Sequence, residues 1–100
     1  METSGAVFAE HRTELRKPGL YAVVMHNDEI TTMDFVVEVL VKVFNKGVVE
    51  ATEVMMDIHE KGQGVAGVYV YDVAVTKKLQ AEQLAAEKCF PLALSVREAL

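Results

Sequence analysis

The chain has 100 residues, 51% of them hydrophobic, and a formal net charge of −5 from 15 acidic and 10 basic residues. That length suits one domain, and so apolar a composition suits a packed core rather than a disordered chain. The negative charge opposes binding to phosphate backbones, the lone Cys89 excludes an internal disulfide, and no run of about eighteen apolar residues is present to span a membrane. The first ten residues carry no basic segment and hold Glu2, so they do not read as a secretory leader, and a cytoplasmic protein is expected.

Residues 1–18 mix small, charged and isolated apolar side chains and end at Lys17-Pro18-Gly19, a turn signal. They read as a flexible tail, with a short amphipathic helix over 7–15 as its only structured option, ahead of a core domain over 19–100. Residues 20–26 (LYAVVMH) are β-rich without helical periodicity and read as a buried strand. The polar turn Asn27-Asp28-Glu29 breaks it. Thr31 or Thr32 then caps a helix, with Thr31-Thr32-Met33-Asp34 matching a capping box. Val36, Val39, Leu40 and Val43 share one face of that helix, and Asn45-Lys46-Gly47 ends it, the glycine taking the left-handed position. A second helix follows at once, with Ala51, Val54, Met55 and Ile58 spaced i, i+3, i+4, i+7. Gly62 and Gly64 close it, residues 65–70 read as a second strand, and Asp72 caps a third helix running to about Lys88. Phe90-Pro91 stops that helix. The alternating stretch 92–97 reads as a last strand with Leu92, Leu94 and Val96 turned inward. The order β-α-α-β-α-β implies an α+β domain, a three-stranded antiparallel sheet with three helices on one face.

Three features could carry chemistry: the Asn27-Asp28-Glu29 turn before a helix, His59 one turn beyond Met55, and the apolar set Met33, Val36, Met55, Ile58 and Leu92. Each also has an ordinary structural role, in turn formation, helix termination or core filling. A metal site from His26, Asp28, Glu29 and His59 would need all four to converge, against the alternation of the strand. A hydrolytic site lacks both a G-x-S-x-G nucleophile and a histidine near Cys89, and no phosphate or dinucleotide loop is present. A non-enzymatic protein without cofactor or metal is therefore expected.

Taken in order, Lys17-Pro18, Tyr21, Asn27-Asp28-Glu29, Thr31, Met33 and Phe35-Val36 resemble the ClpS family of protease adaptors. The resemblance continues through Ala51-Thr52, Met55-Met56, Ile58-His59, Gly62, Gly67-Val68, Val73-Ala74, Thr76-Lys77 and Pro91-Leu92, with no insertion over about residues 17–97. It implies recognition of N-degrons, proteins whose first residue is Leu, Phe, Tyr or Trp, and their delivery to a ClpA- or ClpC-type AAA+ unfoldase working with the ClpP peptidase. On matching positions Asn27, Glu29 and His59 would hold the free α-amino group, with Asp28 beside them. Thr31, Met33, Val36, Met55, Ile58 and Leu92 would line the side-chain pocket. Asp72, Thr76 and Lys77 would dock the unfoldase.

The chain departs from the family pattern at Glu29, commonly aspartate, at Gly19 and Thr32, commonly prolines, and at Val75, usually glutamate. A second reading keeps the fold without the amine clamp: an interaction module built like the C-terminal domain of the ribosomal stalk protein. It follows if Asn27 and His59 lie on different faces.

Overall fold

In the computed structural model, residues 19–99 are described; the expected tail over 1–18, with its optional helix, lies outside them. Strand β1 (Leu20–His26) is followed by helices α1 (Met33–Lys42) and α2 (Val48–Lys61), strand β2 (Gln63–Val70), helix α3 (Tyr71–Glu87) and strand β3 (Ala93–Glu98). The element order is the one expected. β1 lies between β2 and β3 and pairs antiparallel with both.

Alternation along β1 sends Tyr21, Val23 and Met25 into the main core, where they meet Phe35, Val36, Val39 and Leu40 of α1, Ala51 and Ile58 of α2, and Ala74, Ala81 and Ala85 of α3. Small residues on the inner face of α3 let its backbone come close to the sheet, and it touches all three strands. On the other sheet face Leu20 pairs with Val70, Ala22 with Val68 and Val24 with Val65, and Leu20, Val65, Val68 and Val70 stay exposed. The three helices thus cover one face. A bulge at Val23/Val24 shifts the register with β2.

Four local expectations are corrected. The N-cap of α1 is Thr32, whose Oγ1 accepts from the Phe35 N–H at 3.1 Å, so Asp34 falls in the first turn and closes no capping box with Thr31. The left-handed residue between α1 and α2 is Asn45 (φ 58°), while Gly47 is extended and serves as the N-cap of α2. Gly64 does not close α2; it pairs with Met25 inside β2, leaving Gly62 (φ 91°) as the left-handed C-cap. α3 starts directly from β2 with Val70 as N-cap, which places Asp72 in its first turn.

Candidate functional site

The connection from β1 to α1 is built around Asp28. Its Oδ1 accepts from the backbone N–H groups of Ile30 (2.8 Å) and Thr31 (2.7 Å), and its Oδ2 accepts from the Thr31 hydroxyl at 2.7 Å. Burial acts to raise this carboxyl, but the hydrogen bonds from Thr31 and Ile30 outweigh it and hold the group below its ordinary value of 3.8. Asp28 is therefore a fixed anion at neutral pH. With one donor on Oδ2, that oxygen keeps acceptor capacity.

The turn is tied to the end of α2 through backbone atoms. Asn27 N–H donates to the Gly62 carbonyl at 2.9 Å, directly beyond the helix turn that carries His59. Gly62 N–H in turn donates to the Ile58 carbonyl at 3.0 Å, which closes α2. Asn27, Glu29 and His59 are exposed at this junction. The polar turn is thereby held against the end of the helix that carries His59.

Helices α1 and α2 form an αα-hairpin, so the start of α1 lies beside the end of α2. Met33, the first residue of α1, is 44% exposed, and Met55 is half-buried against the core. Val36 and Leu92 are nearly covered, and Ile58, at 2%, is a core residue. Leu92 immediately precedes β3, whose first residue pairs with His26 next to the polar turn. Two flexible methionines therefore offer apolar surface, backed by branched side chains that hold the core. Gly64 brings β2 under this end of α2: a Cβ there would stand 2.9 Å from Ile58 Cγ1.

Asp72, Thr76 and Lys77 line, with Val73 and Gln80, an open groove of about 310 Å³ along the first half of α3. Lys77 is half-buried and engaged. Its Nζ donates to the Val43 carbonyl at the end of α1 (2.7 Å) and lies 5.9 Å from the Tyr69 ring centre. Neither this contact nor the tie between Asn27 and Gly62 was legible in the sequence, because each uses a backbone carbonyl that any residue supplies. The partner of His26 had no sequence signal either; its Nε2 and Ser95 Oγ are hydrogen-bonded at 2.9 Å. Among the described residues no group of three or more His, Cys, Asp or Glu is placed to hold a metal ion, and no helix is long and apolar enough to cross a membrane.

Residues 16–95 match the family model described as ATP-dependent Clp protease adaptor protein ClpS. An ATP-dependent Clp protease adapter protein ClpS of Acetivibrio thermocellus is 48% identical over 93 residues, covering 93% of this chain and 94% of that protein. One from Clostridium acetobutylicum is 41% identical over 98 residues, covering 98% and 97%. Among solved structures, Agrobacterium tumefaciens ClpS2 bound to L-phenylalaninamide superposes with a TM-score of 0.79 at 36% identity, covering 83% of this chain and 100% of that one.

Proposed function

The chain belongs to the ClpS family of adaptors for the ATP-dependent Clp protease, and on that premise we propose that it captures proteins by a free first residue. Leu, Phe, Tyr and Trp are the residues it takes. It delivers them in the cytoplasm to a ClpA- or ClpC-type AAA+ unfoldase coupled to ClpP. The observation that supports the reading is the Asn27 N–H bond to the Gly62 carbonyl, which ties the turn holding an ionised Asp28 and exposed Glu29 to the C-cap of the helix that carries His59.

An α-ammonium brings three donors and no acceptor, so a site for it needs only acceptors: the Asn27 amide oxygen, the Asp28 and Glu29 carboxylates and a ring nitrogen of His59. Charge-assisted hydrogen bonds contribute roughly 1.5–3 kcal/mol each. Burying a Leu or Phe side chain between Met33 and Met55 contributes roughly 1.5–3 kcal/mol more. Against an association cost of several kcal/mol, dissociation constants in the micromolar range follow. The ligand of the Agrobacterium structure, L-phenylalaninamide, has that chemistry: a free amine, an aromatic side chain and no carboxylate. Docking through Asp72, Thr76 and Lys77 is supported by the groove these residues line. With Val75 in place of the usual glutamate, the unfoldase meets a less acidic surface there.

The test is fluorescence anisotropy with labelled peptides that differ at the first residue: Leu, Phe, Ile, Met and N-acetyl-Leu. Leu and Phe are expected to bind, Ile to be rejected because its second β-substituent presses on Met33, and acetylation or His59→Ala to abolish binding. Equal binding of free and acetylated peptides removes the amine clamp and leaves an interaction module.

A further inference from the structure

Thr31, expected from the resemblance to line the side-chain pocket, turns its hydroxyl toward the acidic turn. The Oγ1 donates to Asp28 Oδ2 at 2.7 Å and the residue's own N–H donates to Oδ1 at 2.7 Å, so Thr31 supplies two of the three donors that hold this carboxylate. Ile30 N–H supplies the third, on Oδ1. The plane of the carboxylate is thereby fixed from both oxygens. Each carboxylate oxygen has two lone pairs. The two amides use Oδ1, and the hydroxyl uses one side of Oδ2, which decides where the remaining lone pair points. A binding group aimed in advance costs less to order when the ligand arrives.

We propose that Thr31 is a positioning residue of the amine clamp, aiming the free lone pair of Asp28 Oδ2 at the incoming α-ammonium, rather than a wall of the side-chain pocket. The inference rests on reading this site as an amine-binding one. It sets a specific role for the hydroxyl: serine at this position keeps it, and valine, of the same shape, does not.

Anisotropy with free-amino Leu and Phe peptides and with N-acetyl-Leu peptide separates the two roles. Thr31→Val is expected to weaken binding of both free-amino peptides about tenfold, with the ratio of Leu to Phe unchanged, and Thr31→Ser to restore it. In an Asp28→Asn background the valine substitution should have no further effect, because the carboxylate it aims is gone. Thermal midpoints of all variants accompany the titrations, and Thr31→Ala, which also lacks the hydroxyl, replaces the valine variant should that one not fold. Binding by Thr31→Val as tight as or tighter than the native chain overturns the proposal, since the hydroxyl then competes with the ammonium. So does a changed ratio of Leu to Phe with amine dependence intact, the mark of a pocket wall. Equal binding of free and acetylated Leu peptides by the native chain overturns the amine-binding reading itself, and this inference with it.

Discussion

Gly64→Ala tests how closely the end of α2 is seated on the sheet. The added Cβ would lie 2.9 Å from Ile58 Cγ1, 3.6 Å from the Val54 carbonyl oxygen and 3.7 Å from Ile58 Cδ1. Carbon atoms pack best at about 3.5–4.0 Å, so the first contact overlaps by at least about half an ångström. Ile58 is 2% exposed and Cγ1 is the inner part of its side chain, so the side chain has no free direction in which to yield. Overpacking of this kind costs about 1–3 kcal/mol. Replacing glycine lowers the entropy of the unfolded chain and returns about 0.4–1 kcal/mol. The net is a destabilisation of about 1 kcal/mol or somewhat more, which for a domain of this size lowers the thermal midpoint by about 5 °C. Circular dichroism melting reads it directly. A double-mutant cycle with Ile58→Ala isolates the contact, because the clash disappears once the Ile58 side chain is truncated. If Gly64→Ala melts at the native temperature, or adds its full cost on top of Ile58→Ala, α2 is not seated on β2 through this contact.

Thr32→Ala removes the N-cap of α1 and should cost about 1 kcal/mol, seen as a midpoint lowered by several degrees with peptide preference unchanged. Lys77→Met keeps the aliphatic stem but takes the donor from the Val43 carbonyl. A loss of about 1 kcal/mol in urea unfolding is expected, recovered in part by Lys77→Arg. Asp28 sits below its ordinary value in the folded chain, so its stabilisation is present in full above pH 3.8 and is lost as pH falls below that value. Asp28→Asn should therefore flatten the acid limb of the midpoint-against-pH curve, and a parallel curve would refute the assignment.

The α1–α2 hairpin was legible because both helices bury a regular stripe, and β1 because an unbroken apolar run flanked by turn residues fits a central strand. The misreadings lie where two residues share one propensity. Asn45 and Gly47 both tolerate the left-handed region, and the choice falls on Asn45 because Val48 already opens α2 and needs Gly47 as its N-cap. Asp72 has the chemistry of an N-cap, but α3 leaves β2 with no intervening loop, so the cap position falls on Val70. Thr31 could pair forward with Asp34 or back with Asp28. The chain direction between β1 and α1, set by the tie from Asn27 to Gly62, selects Asp28. In the candidate site, the residue types could be read from sequence, but not the convergence of the turn with the end of α2, which depends on main-chain groups without a side-chain signature.

That convergence has an electrostatic consequence. An αα-hairpin puts the positive end of one helix next to the negative end of the other, each equivalent to roughly half a charge. Left open, the N-terminus of α1 would oppose a cation at the same place where the C-terminus of α2 attracts it. The sequence closes the first and leaves the second in use. Thr32 takes the Phe35 N–H, Asp34 places a carboxylate in the first turn, and Asp28 takes the two amides just ahead of the helix. Lys61, the cation in the last turn of α2, is drawn back along the helix to Asp57 at 3.4 Å. What remains at the junction is the negative end of α2 with Asp28 and Glu29 beside it, in a chain that is itself net negative. Such a surface selects for positive charge before any side chain is read. On the amine-clamp reading proposed above, the apolar contacts of Met33 and Met55 would rank first residues against one another only among ligands whose amine is free.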